Sequence, residues 1–220
     1  MHLPPTASQR RSFRCRLLAW FRWHERKFPW RETLDPWAVL VAEMLLRQTF
    51  ARKVVPVYEE FMRRWPTPGD LAMARTTSVR SLIRPLGLLY RAREMVGLAR
   101  EIIARFEGDV PRSMEGLTSL AGIGDYAASA VLTFAHGERE PVLDRNVIRL
   151  LKRLFALSRP LRELAPSKTL RGLAKSLLPR KDPRRFNYAL LDFTALVCSH
   201  YRAGCEGCIL RRLCSAPGSV

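Results

Sequence analysis

Four cysteines crowd into the last twenty-three residues as Cys198, Cys205, Cys208 and Cys214, a C-x6-C-x2-C-x5-C arrangement. Thiolates converging from so short a segment can each take one iron of a [4Fe-4S] cube. Structural zinc usually draws on two paired motifs separated by a longer knuckle, and only one C-x2-C is present here. Disulfides are the third option; a chain this long can bury a core without staples, and no apolar secretory leader is expected ahead of it. Cys15, alone and far upstream, reads as a core or surface thiol.

A second concentration of chemistry lies in residues 117–128, Leu-Thr-Ser-Leu-Ala-Gly-Ile-Gly-Asp-Tyr-Ala-Ala, which reads as helix, tight turn, helix. Gly122 and Gly124 are expected to supply positive φ angles and close backbone approach. The helix that follows would turn the amides of Gly124 to Ala128 outward as an anion site, able to hold a DNA phosphate without reading sequence. Eighteen residues after Tyr126, the run Pro141-Val142-Leu143-Asp144-Arg145-Asn146-Val147 sets an acid at the mouth of a new helix. An aspartate there is either an N-cap, worth about 1 kcal/mol, or a reacting group. Glu43 lies inside the apolar stretch 38–46, followed by Arg47-Gln48-Thr49, and is either paired with an arginine or used. Cleavage of a glycosidic bond through an oxocarbenium-like transition state asks for two carboxylates, one kept protonated by an apolar pocket and one ionised.

The chain has 220 residues, 38 Lys+Arg against 20 Asp+Glu, and a net charge of +18. That excess favours a polyanionic partner. Anionic membrane is the competing surface, but no lipidation motif, basic anchor helix or apolar run of membrane-spanning length appears. An intracellular, reducing location in the cytoplasm, associated with the nucleoid, is expected.

The elements that must position these groups are helical. Apolar residues recur at three and four spacings over 11–23, 36–48, 51–65, 89–106, 124–135, 144–157, 162–178 and 185–198, with no convincing strand. Pro66 to Asp70 reads as a loop ending at an N-cap, Ser113 as the cap of a helix containing Gly116 and Leu117, and Asp182-Pro183 as the start of the last helix. The first eight residues and the tail after Cys214 are expected to fray. The fold class is all-α, in two lobes: residues 54–135 as a middle lobe containing the hairpin at 117–128, and residues 1–53 with 136–220 as the other, carrying the cysteine loop 198–214.

These motifs together resemble the helix-hairpin-helix DNA glycosylases with a C-terminal iron-sulfur loop, the endonuclease III and MutY superfamily. The resemblance runs from about Phe28 to Cys214 and rests on Phe28-Pro29-Trp30-Arg31, Glu43 to Thr49, Leu86-Gly87, the Leu120 to Ala128 hairpin, Val142 to Asn146, Phe186 to Asp192 and the four cysteines. It implies two helical lobes with duplex DNA across a cleft and a mismatched or damaged nucleotide flipped into it. It implies a [4Fe-4S] cluster on the four cysteines, a loop presenting Arg202, Arg211 and Arg212 to DNA, and a monomer. Asp144 matches the family's catalytic aspartate and Asn146 a polar residue that orients it. Glu43 matches the acid that protonates the leaving base in the adenine branch. Trp30 and Arg31 match residues lining the base pocket, and Gln48 the side chain that plugs the gap left by the flipped nucleotide. The alternatives are that Trp30 is core and Gln48 merely solvated.

Tyr126 stands where the endonuclease III branch has a Schiff-base lysine, so the resemblance implies a glycosylase without lyase activity. Two departures lead away from the adenine branch. Its members carry a further C-terminal domain, which is not expected after Cys214, and usually place tyrosine where this chain has Leu88. Leu88 would then wedge into the opposite strand, as in the G:T and G:U mismatch thymine/uracil glycosylases. Ala121 and Asp125 replace the family's common proline and basic residue in the hairpin. The competing functions are an adenine glycosylase acting opposite 8-oxoguanine or guanine, and a non-catalytic hairpin module that only binds DNA.

Overall fold

The computed structural model describes residues 5–87, 89–158, 160, 163, 167–199 and 204–216. Among them there is no β-strand, and the all-α expectation holds. The chain forms two compact units, Met1–Arg26 with Gly137–Val220, and Lys27–His136. No described helix is long and apolar enough to cross a membrane.

The first unit is built on α1 (Ala7–His24), α9 (Arg145–Leu154), α10 (Lys168–Leu177) and α11 (Pro183–Leu196). Helix α1 does not fray at residue 8 but begins at Ala7, because Thr6 and Gln9 form a capping box. Its buried Phe13, Leu17 and Phe21 recur every fourth residue and line one face. That face meets α11, with Phe13 edge-on to Phe186 at 5.8 Å and Trp20 edge-on to Phe193 at 5.2 Å. Arg14 covers the last carbonyls of α10, donating to Ser176 O and Leu177 O at 2.7 Å each. Asp192 is wholly buried, and its carboxylate accepts from both the backbone N–H and Nε of Arg26, at 2.9 and 2.6 Å. The pair ties the end of the segment after α1 to the buried face of α11. The tail is tied down immediately after Cys214, where Ser215 donates to Leu154 O through both its N–H and Oγ.

The second unit contains α2 (Pro36–Leu46), α3 (Ala51–Arg64), α4 (Pro68–Ala72), α5 (Thr76–Ile83), α6 (Arg91–Phe106), α7 (Met114–Thr118) and α8 (Asp125–Phe134). Residues 27–53 belong here rather than with the termini, because α2 packs against α8 and α3. Nine consecutive residues of α2, Trp37 to Leu45, are buried, so it is a core helix and not an amphipathic surface one. The segment read as a loop up to Asp70 instead contains α4: Thr67 is the cap and Asp70 the third residue of a capping box. The short α5 likewise escaped the periodicity. Ser113 caps α7 as expected, accepting from Gly116 N at 3.0 Å. The stretch 162–178 resolves into α10 from Lys168; 162 and 164–166 lie outside the described residues.

Candidate active site and metal centre

Asp144 is the N-cap of α9, as the first of the two sequence readings expects. Its Oδ1 accepts from Val147 N at 2.6 Å and its Oδ2 from Asn146 Nδ2 at 3.0 Å. A carboxylate offers about four lone-pair sites, so neither oxygen is exhausted. The carboxyl keeps partial exposure, yet the protein packed around it desolvates it and pushes its pKa above the usual aspartate range. The Val147 and Asn146 hydrogen bonds and the Arg149 charge oppose that rise without cancelling it. The approach to Asp144 is fixed from α11: buried Asn187 accepts from Val142 N at 2.9 Å and donates to Glu140 O at 3.1 Å and Pro183 O at 2.9 Å. Two of that amide's three hydrogen bonds thereby hold residues 140 and 142, four and two residues ahead of the aspartate, and the third ties it to the start of its own helix.

All four expected cysteines line one apolar pocket in the same unit, with Leu150, Leu154, Phe193 and Leu210, and none is in a disulfide. Among the described residues no set of three or more His, Cys, Asp or Glu is gathered to hold a metal ion. Burial, and secondarily the neighbouring cysteines, push the Cys208 and Cys214 thiols up. Arg153 Nη1 donates to Cys198 Sγ at 3.5 Å and to Ser199 O at 3.1 Å. Arg149, 9% exposed, donates from Nη2 to Cys198 O at 3.2 Å and from Nη1 to Asn146 Oδ1 at 3.0 Å. A continuous hydrogen-bonded path therefore runs Cys198, Arg149, Asn146, Asp144. Sequence reasoning missed Arg149; its place three residues after Asn146, and Arg153 four further on, would have put all three along one helix face. Arg211 and Arg212 are exposed beside the pocket, while Arg202 lies outside the described residues. Cys15 is an exposed thiol.

The remaining candidates lie in the Lys27–His136 unit. Glu43 is 6% exposed in the middle of α2. Trp30 is also buried, stacked on Phe28 at 4.9 Å and edge-on to Tyr58 at 5.4 Å, with the Arg31 guanidinium over the Phe28 ring at 5.3 Å. In the hairpin Gly122 takes the expected positive φ of 78°, but Gly124 does not: at φ −98° and ψ 177° it is the extended N-cap of α8. An added Cβ there would meet nothing within 4 Å, so neither the backbone angle nor the packing calls for glycine. Ala128 is fully buried and its N–H donates to Gly124 O at 3.0 Å, so it has no amide to offer a phosphate; only the amides before it lack an intrahelical acceptor. Helix α6 pins the turn, Glu101 Oε2 accepting from Ala121 N at 2.9 Å and Arg105 donating to Ser119 O and Oγ. Tyr126 stands half-buried in the first turn of α8, and exposed Gln48 follows α2 at φ 55°. Leu88 lies outside the described residues.

A glycine-turned helical hairpin and an aspartate at a helix mouth, set on an all-helical frame, are features on which the sequence resembles the helix-hairpin-helix DNA glycosylases. The chain belongs to the HhH-GPD superfamily of base excision DNA repair proteins, whose family model matches residues 41–175. Within that family it is similar to the thymine-DNA glycosylase of Aeropyrum pernix, 45% identical over 208 residues that cover 92% of this chain and 93% of the relative. The thymine/uracil-DNA glycosylase of Pyrobaculum aerophilum is 43% identical over 203 residues, covering 90% and 88%. Among solved structures, a thermostable thymine-DNA glycosylase matches at a TM-score of 0.89 and 33% identity, covering 94% of this chain and 96% of its own.

Proposed function

We propose that the protein is a monofunctional DNA glycosylase that takes a thymine or uracil mispaired with guanine out of duplex DNA and hydrolyses its N-glycosidic bond, leaving an abasic site. The state of Asp144 carries the chemistry: a carboxylate desolvated by its surroundings and held by two hydrogen bonds at a helix mouth. The near full-length similarity to thymine and thymine/uracil glycosylases supports the choice of base. As the bond from C1′ to the base nitrogen breaks, positive charge develops on the sugar, and ionised Asp144 stabilises it. A water then adds its hydroxyl to C1′ and gives up its proton, with the Asp144 carboxylate as acceptor. The departing pyrimidine leaves as an anion, and Glu43 and Tyr126 supply hydrogen bonds to its carbonyls, directly or through water. Trp30 and Arg31 border the base pocket, Gln48 fills the vacated position in the duplex, Leu88 wedges the opposite strand, and the Gly122–Gly124 turn holds a phosphate. A mismatched base costs less to unstack, which gives selectivity before any contact is read.

The four cysteines suit a [4Fe-4S] cluster. All four line one apolar pocket, none is in a disulfide, and Arg153 supplies a donor to Cys198 Sγ. When bound, the cluster supplies a rigid cross-link that fixes the 198–214 loop. Its binding would release thiol protons, since thiolate is the ligand form, and burial pushes the Cys208 and Cys214 thiols up in the opposite sense.

Tyr126 offers no amine for a covalent imine. Incubation with a G:U duplex should yield strand breaks only after alkali and no borohydride-trapped adduct; breaks without alkali, or a trapped adduct, would contradict the monofunctional reading.

A further inference from the structure

The turn between α2 and α3 departs from local preference at two positions, Gln48 and Phe50. Gln48 takes a left-handed φ of 55°, uncommon for a residue other than glycine. Phe50 occupies the N-cap of α3, where a side-chain oxygen ordinarily accepts from the first turn, and makes no such bond. The same phenyl ring stands 80% exposed. The turn is nevertheless firmly held. The Arg47 carbonyl accepts from the guanidinium of Arg91, itself only 3% exposed on α6, and from Thr49 Oγ1 at 3.2 Å. Arg47 Nη2 reaches the hairpin, donating to Gly122 O at 2.5 Å, and Thr49 N donates to Leu46 O at 3.2 Å. Backbone strain persists only where its surroundings enforce it, and departures from local preference concentrate where a residue serves something other than folding.

We propose that Phe50 is a DNA-contact residue whose ring stacks on a nucleobase laid bare beside the gap that Gln48 enters. The inference rests on the glycosylase reading above. A ring on a fixed turn gives up little freedom when it stacks, and every nucleobase presents a face for it. Exposed Arg52 and Lys53 follow directly, which suits a polyanion rather than an apolar protein partner.

The test uses the full chain with Phe50→Ser and Phe50→Trp, measuring equilibrium binding to a duplex with a tetrahydrofuran abasic analogue opposite guanine and to the matched duplex. Phe50→Ser should bind the abasic duplex about tenfold more weakly, the size of one lost base–aromatic stack, with matched-duplex affinity unchanged. Phe50→Trp, which keeps the stack, should stay within about twofold of wild type on both. Serine can also cap α3, so the melting temperature of Phe50→Ser should not fall; a merely structural residue would lower stability and binding together. Equal affinity to wild type on both duplexes, or an equal loss on both, would overturn the proposal. Base release by wild type separates the two levels. No release from G:T or G:U removes the glycosylase reading and Phe50 with it, whereas release alongside unaltered Phe50→Ser binding removes only Phe50.

Discussion

Helices α9 and α8 each begin at a residue that decides what their N-terminal end can hold, and the two ends are finished in opposite ways. At α9 the end is filled by the protein's own anion, Asp144, which accepts from Val147 N and Asn146 Nδ2. At α8 the end is left open: Gly124 brings no capping side chain, and the space where one would stand is empty. Under the proposed function, the filled end holds a carboxylate for chemistry and leaves no place for a second anion, and the open end is the one proposed to take a phosphate from outside. The first should therefore govern rate and the second affinity, and substitutions can separate them.

The largest expected effect is at Asp144. Asp144→Asn keeps an oxygen for Val147 N but removes the charge, so base release should fall on the order of a thousandfold while duplex affinity and its salt slope persist. Stability should move the other way. A folded-state pKa raised above the unfolded value means the ionised aspartate costs stability at neutral pH, and that cost fades as pH falls through the folded value toward the unfolded one. The variant's melting temperature should thus match or exceed wild type at pH 7 and lose that advantage at acid pH. Since Asp144 acts ionised, the wild-type rate should fall on acidification at a pH above the ordinary carboxylate range.

Arg149→Leu comes next. It removes the donor to Asn146 and a positive charge that lowers the Asp144 pKa. Single-turnover release should slow on the order of tenfold, and the acid limb of the pH profile should shift to higher pH, which a loss of folding alone would not produce. Gly124→Asp would convert the open end into a filled one. The backbone at φ −98° accepts any residue, so α8 should gain a cap and melt higher, while DNA affinity falls about fivefold. The smallest effect is expected from Asp125→Lys, which restores a cation beside the turn: affinity should rise about threefold and the logarithmic salt slope steepen by about one.

A good part of this arrangement was legible in the sequence. The cysteine spacing led to one pocket, the apolar run before Asp144 led to its place at a helix mouth, and the long helices followed from their periodicity. Short elements were not legible: α4 is five residues with Pro68 and Gly69 inside it, too brief for a period to register. Glycine was over-read, because Gly124 takes an extended φ rather than a positive one, in space open enough for a side chain. The arginine connections were out of reach for another reason. Spacing alone could put Arg149 on one face with Asn146, but among 38 Lys and Arg residues nothing gives the acceptors of Arg47, Arg91 or Arg149 before tertiary structure supplies them, since they are mostly backbone carbonyls with no sequence signature.

The most direct measurement is the identity of the base released by the purified full chain from otherwise identical duplexes carrying G:T, G:U, G:A and 8-oxoguanine:A, with alkali added afterwards to reveal abasic sites. Thymine and uracil should be released opposite guanine, with adenine retained in both purine mispairs. Release of adenine instead would contradict the assignment of substrate, and release from none of the four would contradict the proposed activity itself.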